Sequence, residues 1–403
     1  MNILFLTLSN LKDISQRGIY TDLCRELVAQ GNQLYIASPT ERRNNEKTHH
    51  IKGEGFQILK IKTLNIQKTN VIEKGIGTLL LETQFNKAIK KYWKDIKFDI
   101  VIYSTPPITF NKVIKFVKGE FGAKSYLLLK DIFPQNAVDL GMFSNGSFFY
   151  KLFRKKEREL YQISDKIGTM SPANSEYILT HNADVSPAKV EVFPNSLVPV
   201  SQNKVSEKER AERLKILGID TYKTLSIYGG NLGKPQGVDF ILEVLKENEN
   251  RDDHHILIIG DGTEFGKLQQ WINDNRPKNS TLIKRLPKEE YEAVASCGDI
   301  GLIFLDHRFT IPNFPSRLLS YIEKGIPVMV ASDITSDMGR IAEREGFGSW
   351  CESNDVKEFF KKIELLIADS ELRNNFGKNA KNFFEVNYNV KNHIDKITSL
   401  FEE

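Results

Sequence analysis

Cysteine is nearly absent: three residues in a chain of 403, at Cys24, Cys297 and Cys351. They stand too far apart for a C-x-x-C ligand pair, which argues against a disulfide framework or a zinc site and fits buried thiols in a reducing compartment. No apolar run approaches the ~20 residues of a spanning helix. Charge of one sign is equally scarce. The chain has 56 Lys and Arg against 52 Asp and Glu, a net +4. They are interspersed almost everywhere, so nucleic acid is not expected as a partner. No carboxylate cluster with metal-ligand character stands near the glycine-rich loops described below, and neither a metal nor another cofactor is expected. The phosphate-binding fingerprints of fixed spacing, G-x-x-x-x-G-K-[ST] and a clean G-x-G-x-x-G, are missing as well.

What remains is a globular composition, 40% hydrophobic against 27% charged, in a chain long enough for two domains. The opening Met1-Asn-Ile-Leu-Phe-Leu-Thr-Leu8 reads as a buried strand rather than a targeting signal. A helix over 20–30, closed by Gly31, and a strand over 33–37 complete a βαβ unit, which predicts a parallel sheet with right-handed crossovers. A charged loop over 40–55 follows, then an extended piece at 56–61 and a long helix over about 73–94. Strands at 99–103, 124–130, 165–170 and 189–193 complete the first half, with a helix over 145–163 among them. Residues 201–213 suit a linker or an exposed helix. Strands at 224–228, 255–259, 281–284, 300–304 and 328–331 then repeat the alternation. Helices over 356–367, 370–384 and 390–401 end the chain. The expected fold class is α/β: two Rossmann-like, doubly wound domains facing a central cleft, 1–199 and 200–387.

Two stretches carry the chemistry. In Leu225-Ser-Ile-Tyr-Gly-Gly-Asn-Leu-Gly-Lys-Pro-Gln-Gly237 a buried strand runs into a glycine-rich loop bearing Lys234, with a helix from Val238. Glycines admit backbone N–H groups to an anion, the helix adds its positive end, and Lys234 supplies a full charge. An ordinary strand-to-helix turn would account for the same glycines. In Asn313-Phe-Pro-Ser-Arg-Leu-Leu-Ser320, Pro315 suits the first position of a helix, with Ser316 and Arg317 in its opening turn, again a setting for phosphate oxygens. Two anion sites in one half of the chain point to a nucleotide diphosphate. In the first half, Asp131 at a strand's carboxyl end is an active-site candidate, or else a cap on the turn before Pro134. The helix over 145–163 mixes Phe148, Phe149 and Phe153 with Lys151, Arg154, Lys155 and Arg158. That suits an anionic membrane surface, or equally a half-solvated core helix.

The ordered set Gln16-Arg17-Gly18, Gly229-Gly230-Asn231-Leu-Gly-Lys234, Ile259-Gly-Asp-Gly262, Leu286-Pro-Lys-Glu-Glu290 and Phe314-Pro-Ser-Arg-Leu-Leu-Ser-Tyr-Ile-Glu-Lys-Gly-Ile-Pro-Val328 resembles family 4 retaining glycosyltransferases, which have the GT-B fold. Lys130-Asp-Ile-Phe-Pro134, Met170-Ser-Pro172 and Gly230-Asn-Leu-Gly-Lys-Pro-Gln-Gly237 make it most similar to a bacterial surface-polysaccharide subgroup that includes N-acetylfucosaminyltransferases. The resemblance implies a nucleotide sugar held mainly by the second domain, an acceptor held by the first, and a final segment, 388–403, crossing back to the first. It also implies retention of anomeric configuration without a metal, in a front-face substitution. Lys234 and Arg317 would stabilise the leaving diphosphate, with backbone amides near Gly18 and Ser316 assisting. Gly230, Asn231, Gly260 and Gly262 would line the donor, Arg285 and Leu286 would meet the nucleobase through their backbone, and Asp131 would serve the acceptor side or the sugar. A lipid-linked glycan is the acceptor implied, with the protein cytoplasmic or peripheral at the inner face of the plasma membrane.

The chain departs from that family's paired glutamates, whose positions fall here on Pro312 and Ser320. Ser320 could still meet a ribose hydroxyl, and Glu323 lies one turn on. Asn231 stands where the phosphate loop commonly has Arg. Two other readings stay open: a non-hydrolysing nucleotide-sugar epimerase, for which the seven histidines are poorly placed, and a catalytically silent sugar-nucleotide-binding protein.

Overall fold

The structure, a computed structural model, describes residues 1–66, 69, 71–200 and 205–401. Residues 201–204, where the linker is expected to begin, and 402–403 at the chain's end lie outside the described residues. The chain divides into two compact units, Met1–Val198 with Asn389–Glu403, and Pro199–Tyr388.

The first unit holds strands β1 (Asn2–Leu6), β2 (Gln33–Glu41), β3 (His49–Gly53), β4 (Phe56–Thr63), β5 (Ile100–Ser104), β6 (Lys124–Leu129), β7 (Lys166–Thr169) and β8 (Val190–Val192). They form one sheet in the order β3-β4-β2-β1-β5-β6-β7-β8. Its pairings are parallel apart from the β3–β4 edge. The second unit holds β9 (Thr224–Asn231), β10 (His254–Asp261), β11 (Ser280–Lys284), β12 (Ile300–Phe304), β13 (Val328–Ser332) and β14 (Gly348–Glu352). Its parallel sheet has the order β11-β10-β9-β12-β13-β14. Both sheets are doubly wound: the order reverses between β1 and β5 in one unit and between β9 and β12 in the other. Crevices for ligands open at such reversals, outside the carboxyl ends of the strands.

The buried strands are continuous Val, Ile and Leu runs, as strands covered on both faces require. Three elements differ from the sequence expectation. β3 lies inside the charged loop over 40–55; it is an antiparallel edge strand whose side chains are half-buried or exposed, so it carries no apolar run. β14, an edge strand with mixed burial, likewise lacks the signal. The closing helix over 390–401 is broken into a 3₁₀ turn Val390–Asn392, a short α-helix Asp395–Thr398 and a second 3₁₀ turn Ser399–Phe401. Its apolar residues are nonetheless buried: Val390, Ile394, Ile397 and Leu400 join the first unit's core with Ile3, Phe5 and Leu23. The three cysteines are free and buried.

Candidate functional site

In the second unit the sheet reverses at the carboxyl ends of β9 and β12, and the two stretches singled out in the sequence are the segments that follow them. Register aligns Gly230 with Gly260 and Asn231 with Asp261, and Gly260 in turn with Lys284. The Gly229–Asn231, Gly260–Gly262 and Arg285–Leu286 positions are therefore neighbouring strand ends. Close packing explains several of the glycines. A Cβ on Gly260 would lie 2.2 Å from the Gly230 carbonyl oxygen, and one on Gly229 would strike the Tyr291 ring at 2.1 Å. Gly230 is different: its φ of 144° suits only glycine, and a Cβ there would sit 2.6 Å from Arg317 Nη2. The bare backbone at Gly230 is what lets the Arg317 guanidinium reach the end of β9.

Arg317 is the key side chain. It begins the helix Arg317–Glu323, two residues later than Pro315 suggests, because Pro315 and Ser316 form i→i+3 turns to Leu318 and Leu319 instead. Its guanidinium lies 4.1 Å above the Tyr228 ring, a favourable cation–π placement. Arg317 Nε and Nη1 are buried yet have no hydrogen-bond partner, and the same holds for Ser320 Oγ one turn further on. An unmet buried donor costs about 1–3 kcal/mol, more on a charged group. An anion between these groups would remove that cost.

Three tyrosines that the sequence reading passed over hold this arrangement. β9 and β12 stay paired only as far as Ile227↔Gly301, leaving the next β9 groups open. The fully buried Tyr321 closes that gap, its hydroxyl donating to the Ile227 carbonyl at 2.9 Å and accepting from the Gly229 N–H at 3.1 Å. Gly301 makes room for its ring, since a Cβ there would lie 2.5 Å away. Tyr228 donates to the Asn231 carbonyl at 2.6 Å, and Tyr291 packs against Gly229. Burial raises all three phenols above their ordinary range and keeps them protonated donors. A tyrosine among apolar helix positions reads as core; the only sequence cue was Tyr321 lying four residues, one turn, after Arg317.

The Lys234 loop is braced from within. The Gln236 side-chain oxygen accepts from Asn231 Nδ2 at 2.9 Å and from the Gly233 N–H at 3.1 Å, so the Asn231 carboxamide serves the loop. Asp306 N–H donates to the Pro235 carbonyl at 2.9 Å, tying the loop to the end of β12. Lys234 itself is exposed, as are Arg285 and Ser316. Leu286, half-buried, packs against the unit's core. Glu323 is buried and accepts from the Val200 N–H at 3.1 Å. His254 and His255 lie at the opposite, amino end of β10. His254 is held by Asn248 Oδ1 at 2.6 Å and Ser226 Oγ at 2.7 Å, and burial pushes its pKa down to about 3.

The first unit ends its sheet differently. Thr105 Oγ1, after β5, accepts from the Lys130 N–H at 2.9 Å and the Asp131 N–H at 3.2 Å. This fixes Asp131 at the end of β6 with an exposed carboxylate. Gly18 departs from its expected use: its N–H donates to buried Asp22 Oδ1 at 2.9 Å, and that carboxylate also accepts from the Val198 N–H at 2.7 Å. The Gly18 amide is thus already engaged, with a negative charge beside it. Lys60, in the middle of β4, pins the loop after β1 by donating to Leu11 O at 3.1 Å, Ser38 Oγ at 2.9 Å and Pro39 O at 2.9 Å. A lysine inside an apolar strand was the overlooked signal. Among the described residues, no group of three or more His, Cys, Asp or Glu is placed to hold a metal ion.

The helix Phe148–Ile163 is less cationic than its sequence suggests. Arg154 pairs with buried Glu157 at 2.6 Å, and Arg158 with Asp184 at 3.4 Å. Phe153 packs inward on Phe133, ring centroids 5.1 Å apart. Exposure remains at Phe148, Phe149, Lys151 and Lys155. Among the described residues, no helix is long and apolar enough to cross a membrane.

Residues 209–383 match the model of the family described as "Glycosyl transferases group 1". "Probable glycosyltransferase WbjE" of Pseudomonas aeruginosa is 22% identical over 305 residues, covering 74% of this chain and 73% of that one. "UDP-Gal:alpha-D-GlcNAc-diphosphoundecaprenol alpha-1,3-galactosyltransferase" of Escherichia coli is 25% identical over 281 residues, 64% of this chain and 67% of that one. Among solved structures, Anabaena Alr3699/HepE in complex with UDP-glucose superposes with a TM-score of 0.70 at 14% identity, covering 100% of this chain and 99% of that one. The fold is that of GT-B glycosyltransferases, and together the comparisons support a glycosyltransferase of group 1.

Proposed function

We propose that this chain is a retaining glycosyltransferase that takes a sugar from a UDP-linked donor and passes it to a lipid-linked bacterial surface glycan, without a metal. The observation that carries this reading is the Arg317 guanidinium, held against Gly230 at the reversal point of the second sheet with two buried donors unmet. A departing nucleoside diphosphate gains negative charge as the glycosidic bond breaks, and preorganised donors aimed at that charge are the largest catalytic lever available. Arg317 offers fixed, geometry-specific donors. Lys234, on a loop braced by Gln236, adds a mobile charge. Ser320 Oγ is free to meet a ribose hydroxyl, the backbone at Arg285 and Leu286 the base, and Gly260 and Gly262 let chain segments pass close beneath the donor. The exposed Asp131 carboxylate suits an acceptor hydroxyl or a donor-sugar hydroxyl. The sugar expected is an N-acetylated deoxyhexose.

The likeness to a relative whose name specifies UDP-Gal and a diphosphoundecaprenol-linked acceptor supports the donor nucleotide and the acceptor class. An epimerase is not favoured, because the matched relatives are named as glycosyltransferases. His254 and His255 sit at the far, amino end of β10, whereas His307, exposed just past β12, lies 3.8 Å from Asp306. The test is transfer from UDP sugars to a short-chain lipid diphosphate glycan, with the anomeric configuration of the product read by proton NMR. An α-linked product from an α-linked donor is expected. An inverted product would overturn retention, and UDP binding without turnover on any acceptor would favour the silent binding protein.

A further inference from the structure

Lys60 is out of place in its strand. It stands in the middle of β4, between buried Leu59 and Ile61, and is itself only 2% exposed. Burying an ammonium is costly unless its protons are met. They are met by Leu11 O at 3.1 Å, Ser38 Oγ at 2.9 Å, Pro39 O at 2.9 Å and Asn10 Oδ1. No carboxylate is among these partners, so no ion pair offsets the lost solvation. An apolar residue would serve the sheet at lower cost. What an ammonium supplies here is donors for acceptors that lie beyond the sheet.

Two of those acceptors, on Asn10 and Leu11, belong to the loop between β1 and the helix Ile19–Ala29. β4 does not adjoin β1; β2 lies between them. Ser38 of β2, the register partner of Lys60, completes the link: its hydroxyl donates to the Ser9 carbonyl at 2.7 Å and accepts from the Leu11 N–H at 3.1 Å. Arg25 clasps the loop's other end, donating to the Ile14 carbonyl and, at 3.1 Å each, to the Ser15 and Gln16 carbonyls. Main-chain carbonyls are thus engaged by two cations, while the side chains of Lys12, Asp13, Ser15 and Gln16 are left exposed. The loop leaves β1 at the reversal point of the first sheet, the place where crevices for ligands open. Directly after it, Ile19 and Tyr20 line a small cavity with Leu128 and Lys130, so the loop ends beside the strand end that carries Asp131.

We propose that Lys60 is a positioning residue for the acceptor: it holds the loop over 9–18 as a preformed wall of the first unit's crevice, against which the acceptor glycan is set beside Asp131. Lys60 touches no substrate itself and acts through the loop. A wall ordered before binding removes an ordering cost that the acceptor would otherwise meet, and it fixes the approach of the reacting hydroxyl. The proposal deepens the transferase reading and rests on it for the identity of the ligand, whereas the holding of the loop is measured without substrate.

The test pairs amide hydrogen exchange of segment 9–18 in the full chain, read by mass spectrometry, with transfer kinetics in which the UDP sugar and a short-chain lipid diphosphate glycan are varied separately. Lys60→Met, close in shape and without the charge, should speed exchange in the loop at least about tenfold. It should also lower kcat/KM for the acceptor about 10²-fold, the scale for misplacing a positioning element by about 1 Å, with KM for the UDP sugar and calorimetric UDP affinity as in wild type. Asn10→Ala, at an exposed residue outside the sheet, should move both readouts in the same direction to a smaller extent. Wild-type exchange over 9–18 in Lys60→Met would overturn the proposal, and where that variant does not fold, wild-type exchange and kinetics in Asn10→Ala would do so. A loosened loop with wild-type acceptor kinetics would also overturn it and leave the transferase reading intact. Equal losses toward donor and acceptor would mark general damage and count against a positioning role. Failure of the wild type to transfer to any acceptor would overturn the transferase reading, and the acceptor role of Lys60 with it.

Discussion

The two sheets reverse strand order in the same way and finish their carboxyl ends in opposite ways. At β9 and β12 the chain leaves donors open: the Arg317 Nε and Nη1 and the Ser320 hydroxyl. At β5 and β6 it leaves an acceptor open, the exposed Asp131 carboxylate on a threonine-braced turn. Even the amide that could have made the first unit anion-seeking, at Gly18, is turned to a buried aspartate. One architecture therefore carries two edges of opposite hydrogen-bonding character, which under the proposed function would serve a leaving diphosphate and a hydroxyl. The difference lies in a few side chains past the strand ends rather than in the strands.

The comparison predicts effects that separate by unit. The largest is at Arg317. Arg317→Ala should lower kcat about 10²–10³-fold, the scale for loss of a donor to developing charge, and should leave thermal stability without nucleotide level or slightly raised, because two unmet donors disappear with it. Arg317→Lys should recover only part of the rate. Next is Asp131→Asn, expected to cost roughly 10²-fold in kcat with UDP affinity unchanged. Because the exposed Asp131 carboxylate must be ionised to accept from a hydroxyl, wild-type activity should fall as acid protonates it. The acidic limb of the pH profile should vanish in the variant, and a limb that persists would remove Asp131 from the mechanism.

Tyr321→Phe should act through Arg317. It leaves the Gly229 N–H and the Ile227 carbonyl open, costing about 1–3 kcal/mol of the second unit's stability, and it should weaken UDP binding about tenfold while kcat at saturation changes less. Lys234→Ala, at an exposed position, should have the smallest effect on binding, several-fold and salt-dependent.

A further prediction concerns the second unit's stability. His254 is held neutral by burial, its pKa about 3 against ~6.5 when unfolded. The unfolded chain therefore takes up the proton first as pH falls. The contribution is complete above about pH 6.5 and is lost progressively toward pH 3. Unfolding midpoints across that range should show a slope that His254→Gln reduces.

Fold class was legible because both sheets are built from apolar strand runs alternating with helices, and those runs follow from burial on two faces. β3 and β14 were hidden because edge strands need no such run. The closing segment read as one helix because Val390, Ile394, Ile397 and Leu400 share a helical period, although turns of another pitch bury the same residues. Within the second unit, the glycines and Arg317 were visible as types. Their meeting was not, since Gly230 and Arg317 are brought together only by the reversal of strand order and by the Tyr321 hydroxyl filling a gap in the sheet. Gly18 shows the converse: a glycine before a helix suggests an open amide, and only the buried Asp22 reveals that it is closed.

The most direct test of the central claim is calorimetric titration of UDP into the wild-type chain and into Arg317→Ala. The account predicts measurable wild-type affinity that falls at least about tenfold in the variant, with Asp131→Asn binding as wild type. Equal UDP affinity in wild type and Arg317→Ala would contradict it, and would mean that the unmet donors at the end of β9 are not the diphosphate site.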